Sequence, residues 1–136
     1  MNLFLLIEKY SNIYRSLSDL IDPISFYDSP TLIGLNNFGA TCFMNATLQC
    51  LSQTKDLTSY FLKKKNKELI RNNKNKNRNS DQLCPVYLDL IEKLWGHPEG
   101  PKSFSPKDFR TLVEKMNSLF KQGQAGDSKD FIIFYS

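Results

Sequence analysis

The sequence predicts a mostly α-helical domain. Apolar residues recur at three- and four-residue spacing in several separate stretches, the mark of helices with one buried face. Those stretches are opened and closed by Ser, Asp, Pro and Gly where helices start and stop. A chain of 136 residues, 40% hydrophobic and 24% charged, suits one domain around one modest core.

Residues 1–30 read as an N-terminal helix and a lead-in loop. Leu6, Tyr10, Ile13, Tyr14, Leu17 and Leu20–Ile21 form one stripe, which Pro23 ends. Packing of this helix on the domain is the preferred reading; a partner-binding helix is the alternative. The apolar run Leu3–Ile7 is too short for a signal-peptide core, and Glu8 and Lys9 end it. No stretch approaches the length that spans a bilayer. A soluble intracellular protein, cytoplasmic or nuclear, is therefore expected. Residues 22–33, DPISFYDSPTLI, hold two prolines and several turn formers and read as a loop.

Residues 34–51, GLNNFGATCFMNATLQCL, organise the rest. Met44, Leu48 and Leu51 share one helical face, and Gly39, Ala40 and Thr41 stand where a loop must tighten before that helix. Cys42 is thereby placed in the first helical turn. There the unpaired N–H groups and the positive end of the helix dipole favour a thiolate, the nucleophilic form. The plain alternative is a cysteine acting as a small buried hydrophobe. Asn36 and Asn37 supply side-chain amides just upstream, usable as donors to a developing oxyanion. Gly34 and Gly39 would let the loop backbone approach a ligand closely.

LTSYFL (57–62) suggests a further short helix. The chain then becomes almost all Lys, Arg and Asn: eight basic residues and one Glu lie between Lys63 and Arg78, leaving the remainder near −3 against a net charge of +4. A flexible, solvated basic insertion at about 63–80 is expected. A nucleic-acid-binding patch is the weaker alternative, since interleaved aromatics are missing. Leu83, Val86, Tyr87, Leu90, Ile91 and Leu94 predict a helix over 82–95, with Pro85 in its first turn. A Gly/Pro-rich turn holding His97 follows. Ser105 as N-cap, Pro106 at the first position and Asp108 at the third open the next helix. Its expected apolar face is Phe109, Leu112, Val113, Met116, Leu119 and Phe120, with Gly123 as the stop. Asp127 or Ser128 would cap a last helix. Cys42, Cys50 and Cys84 form neither a disulfide framework nor a zinc pattern.

The run Gly34-Leu35-x-Asn37-x-Gly39-x-Thr41-Cys42-Phe43-Met44-Asn45 resembles the cysteine box of the ubiquitin-specific proteases, the large papain-like family of deubiquitinases. Asp127, Ser128, Asp130 and Phe131 resemble a second conserved region of that family. There, Ala125 and Gly126 replace the usual glutamines and Asp130 the usual glutamate; Ala40 stands where many members have asparagine. The resemblance implies the helical thumb-like half of a papain-like cysteine protease fold, stopping before the β-rich palm and fingers. It implies Cys42 as nucleophile and Asn37 as oxyanion stabiliser. Asp127 and Asp130 would border the channel for ubiquitin's arginine-rich tail, with helix capping as the equal alternative.

The family's histidine box and its zinc-holding finger pairs have no match, and His97 is the only histidine. Residues 31–136 are accordingly expected to be the N-terminal part of a catalytic domain, ending inside a helix, in a fragment without the histidine box. The implied activity is thiol-dependent hydrolysis of the (iso)peptide bond at the C-terminus of ubiquitin. An inactive ubiquitin-binding or interaction fragment is the alternative. No cofactor, metal or membrane partner is implied.

Overall fold

The computed structural model describes residues 33–73, 78–95, 102–121 and 125–135. The expected N-terminal helix and lead-in, and the turn carrying His97, lie outside them. The elements in order are β1 (Gly34–Leu35), α1 (Cys42–Ser52), α2 (Lys55–Leu62), α3 (Lys64–Asn72), α4 (Asn79–Trp95), β2 (Ser103–Phe104), α5 (Lys107–Met116), a 3-10 turn (Ser118–Phe120) and α6 (Ser128–Tyr135). The domain is mostly helical, as expected.

The apolar stripes settle the packing. α4 is the central helix: Leu83, Tyr87, Leu88, Leu90, Ile91, Leu94 and Trp95 are buried against α2, α3 and α5. Phe61, Tyr87 and Phe109 meet edge to face in sequence, with centroids 4.9 and 6.4 Å apart, and so join α2, α4 and α5. A second aromatic group, Phe43, Phe120 and Phe131, joins α1, the 3-10 turn and α6. Burial of these side chains, each contributing on the order of 2 kcal/mol, supplies the driving force.

Four expectations are corrected. The basic stretch is not all loop. Lys64–Asn72 is helical although it buries no residue. Ile70 packs half-buried against the core, and ion pairs flank it: Lys67 Nζ lies 3.0 Å from Glu92, and Arg71 reaches Glu92 and Asp89 of α4. Its Leu69 is 62% exposed.

α4 begins at Asn79, so Pro85 falls inside the helix rather than in its first turn. The earlier start is supported by Asp81, whose Oδ2 accepts the Arg78 N–H at 3.2 Å, half of a capping box.

Ser105 does not cap α5. The helix starts at Lys107 with Pro106 in the cap position, and the Ser105 hydroxyl instead accepts the Asn36 amide at 3.2 Å.

The apolar face of α5 is broken after Met116. Asn117 leaves the helical region (φ −147°), and its Oδ1 accepts the Leu119 N–H to cap the 3-10 turn. Phe120 is thereby turned inward and Leu119 outward, 72% exposed.

One element had no signal at all. β1 and β2 pair in parallel, Gly34 against Ser103 and Leu35 against Phe104. Two residues on each side are too few to show alternation. Their bridge fixes the start of the cysteine loop: Gly34 N–H donates to Lys102 O and Asn36 N–H to Phe104 O, both at 2.8 Å.

Candidate active site

The chain enters α1 through two successive residues with positive φ, Gly39 at +96° and Ala40 at +54°. Glycine adopts this conformation freely, whereas alanine does so at a cost of about 1–2 kcal/mol. Thr41 takes the N-cap position, but its side chain does not cap the helix. It is buried, and its hydroxyl donates to Asn37 Oδ1 at 3.1 Å while accepting the Phe38 N–H at 3.3 Å. Its own N–H also donates to Asn37 Oδ1, at 3.0 Å. Thr41 and Asn37 therefore close the loop on itself and leave the helix start uncapped.

Cys42 is the first residue of α1 and is exposed. Among the described residues, the N–H groups of Gly39, Ala40 and Cys42 have no hydrogen-bond partner. An exposed sulfur thus stands among open backbone donors, an arrangement that suits charge developing on an attacked carbonyl oxygen.

The loop's carbonyls, by contrast, are held by side chains from elsewhere. Gln49 Nε2 donates to Ile33 O at 3.0 Å. Asn45 Nδ2 donates to Leu35 O at 3.3 Å and Asn36 O at 3.1 Å; its own Oδ1 is buried without a partner among the described residues. Arg110 of α5 completes the set. Its Nη1 donates to Phe38 O and to Gly39 O, each at 3.0 Å, its Nε to Glu114 at 2.6 Å, and its guanidinium lies 5.1 Å from the Phe38 ring centroid. The residue is only 7% exposed. Arg110 was not legible as a site residue. Its signal, a cation beside the Phe109–Leu112–Val113 stripe with Glu114 four residues on, equally describes an ordinary surface pair.

The expected site residues fall out as follows. Cys42 stands at the helix start. Asn37 is exposed, with its Oδ1 engaged by Thr41 and its Nδ2 without a partner among the described residues. Gly34 sits in β1, where an added Cβ would meet only ordinary contacts at 3.7 Å, so it reserves no room for a ligand. Asp127 accepts the Lys129 N–H through Oδ1 at 2.6 Å, a helix-capping arrangement. Asp130 is exposed in the first turn of α6. Ser128 Oγ donates to Phe43 O at 3.2 Å and brings α6 against the start of α1. Cys50 is exposed, while burial pushes the Cys84 thiol up to about 11. Among the described residues no cluster of three or more His, Cys, Asp or Glu could hold a metal, and no helix is long and apolar enough to cross a membrane.

A helical domain that presents an exposed thiol at a helix start, behind a loop pinned by side chains, is by class a candidate cysteine enzyme. Residues 33–135 match the family model described as ubiquitin carboxyl-terminal hydrolase. The chain is 36% identical over 113 residues to ubiquitin carboxyl-terminal hydrolase 4 of Pongo abelii, covering 83% of this chain and 11% of that protein. It is 35% identical over 117 residues to ubiquitin carboxyl-terminal hydrolase 15 of Homo sapiens, covering 85% of this chain and 12% of that protein. The chain therefore belongs to the ubiquitin carboxyl-terminal hydrolase family, a family of deubiquitinating thiol hydrolases, and spans about a tenth of the length of these relatives.

Proposed function

We propose that this chain carries the nucleophile and oxyanion loop of a thiol-dependent deubiquitinase, with Cys42 as the attacking group. The observation that supports it is the exposed Cys42 opening α1 beside the open N–H groups of Gly39, Ala40 and its own backbone. In this reading the Cys42 thiolate adds to the carbonyl carbon at the C-terminus of ubiquitin, and the carbonyl oxygen takes the negative charge. Asn37 Nδ2 and the backbone donors hold that oxygen. Collapse breaks the C–N bond. A proton delivered by a general acid releases the lysine amine, and a thioester remains on Cys42. Water then attacks the thioester and returns the thiol and a free ubiquitin carboxylate. Histidine, the side chain that most often serves as this general acid, does not occur among the described residues.

Ubiquitin bearing a C-terminal electrophile tests the proposal. Wild-type chain is expected to form a covalent adduct at Cys42, and Cys42→Ala none. Labelling no faster than that of a free small thiol would overturn it for this chain.

A second reading is favoured by the scarcity of histidine, His97 being the only one in 136 residues: the chain binds ubiquitin without turning it over. Saturable binding with no adduct would support this reading, and no binding would remove it. The nucleic-acid reading is weakened by the ion pairs of Lys67 and Arg71, which turn part of the basic stretch toward α4.

A further inference from the structure

We propose that Arg110 is a positioning residue for the cysteine loop: it orients the Gly39 and Ala40 N–H groups before any substrate arrives. The proposal rests on the reading of Cys42 as a nucleophile and names the group that prepares its surroundings.

The geometry points to it through the peptide planes. In a trans peptide the C=O and the N–H that follows it point in opposite directions. No peptide bond among the described residues is cis. Nη1 of Arg110 binds the carbonyls of both Phe38 and Gly39 at 3.0 Å. Holding those two oxygens turns the N–H groups of Gly39 and Ala40 to the side away from Arg110, where they have no partner among the described residues. Gly39 and Ala40 both carry positive φ at this point, so the held peptides lead into two successive left-handed residues before α1. Left to itself, Ala40 would relax toward negative φ, because an L-residue gains by leaving the left-handed region. The clamp opposes that relaxation.

Arg110 is itself held. It is nearly buried, its Nε is fixed by Glu114 at 2.6 Å, and its guanidinium stacks on Phe38. The planar fork thus faces the loop with little freedom to lose, which suits a group that stores order in advance. Lysine could replace the charge but not the planar fork held at both ends.

The test has two arms on the full chain: wild type, Arg110→Met, Arg110→Lys and, as a milder variant that keeps the arginine, Glu114→Gln. The first arm is amide hydrogen exchange at Phe38 and Thr41, whose N–H groups are bonded only within the loop. Arg110→Met is expected to speed exchange at these two positions by about tenfold or more while Leu88 and Ile91 of α4 stay protected. The second arm is reaction of Cys42 with ubiquitin carrying a C-terminal aldehyde. The sulfur adds to the aldehyde carbon and the oxygen enters the loop as in the attacked state. Its rate is compared with alkylation by iodoacetamide, which needs no oxyanion support. The aldehyde rate is expected to fall about tenfold or more in Arg110→Met with iodoacetamide nearly unchanged, and to recover in part in Arg110→Lys.

Unchanged exchange at Phe38 and Thr41 in Arg110→Met overturns the clamp whatever the aldehyde does. Equal fractional loss of both chemical rates, without recovery by lysine, assigns Arg110 a merely structural role and also overturns the proposal. If the wild type forms no aldehyde adduct, the reading of Cys42 fails for this chain, and the exchange arm still decides the clamp. Should Arg110→Met not fold, Glu114→Gln carries the same comparison.

Discussion

Replacing Gly126 with alanine adds one methyl group at the most crowded glycine among the described residues. Its Cβ would lie 2.7, 2.8 and 2.9 Å from Cζ, Cε2 and Cε1 of Phe43. Ordinary contact begins near 3.4 Å, so the ring would have to withdraw by at least about 0.7 Å. It has little room to do so. The Phe120 ring stacks on it at 5.6 Å and 25°, and Phe131 meets it edge-on at 5.6 Å. Both are buried.

Inserting a carbon into such packing costs about 1–3 kcal/mol. The backbone at Gly126 is not in the left-handed region, so alanine also restricts the unfolded chain and recovers about 0.4–1 kcal/mol. The net expectation is a loss of about 1–2 kcal/mol. Trp95, the only tryptophan and buried at the end of α4, reports unfolding in urea by fluorescence. The midpoint should fall with the slope unchanged. In a Phe43→Leu background the penalty should shrink by about 0.5 kcal/mol or more, the coupling expected of two groups in contact. An alanine variant as stable as the wild type, or the same penalty in both backgrounds, would refute the steric account.

Other outcomes follow from the same geometry. Iodoacetamide at neutral pH should modify the exposed Cys42 and Cys50 and spare Cys84, whose thiol is held up to about 11 by burial; peptide mapping reads this directly. The raised folded value gives the sign of the pH dependence. Cys84 keeps its proton in the fold and would release it near 9 when unfolded, so its contribution to stability is complete below pH 9 and is lost between about 9 and 11. Cys84→Ala should flatten that part of a stability-against-pH curve. Ala40→Gly should stabilise the domain by up to about 1 kcal/mol in the same urea titration, because it removes a side chain from a φ of +54°. Arg71→Ala should cost less than about 1 kcal/mol, and the difference should fade with added salt, because Arg71 itself and its partner Asp89 are more than half exposed.

By itself the sequence determined the helices that carry the core and the residue that opens the first of them. Spacing at 3.6 residues is a local property, so Met44 and Leu48, or Leu83, Tyr87, Leu90, Ile91 and Leu94, declare their shared face without any knowledge of what they pack on. Cys42 at a helix start follows from the glycine-bearing loop before it and the stripe after it. Capping was less secure for the same reason that makes it readable: a hydroxyl or carboxylate bonds whatever donor is nearest in space. Ser105 was drawn to Asn36, 69 residues away, and Thr41 to Asn37 rather than to its own helix.

Only the tertiary structure decided how the cysteine loop is held. The two-residue parallel bridge to β2, the Asn45 amide beneath Asn36, and Arg110 across more than seventy residues all act on backbone carbonyls. A backbone carbonyl has the same chemistry in every residue, so no pattern of side chains announces which one a distant guanidinium will bind. Local periodicity places the thiol, and contacts distant in sequence set the direction of the donors around it.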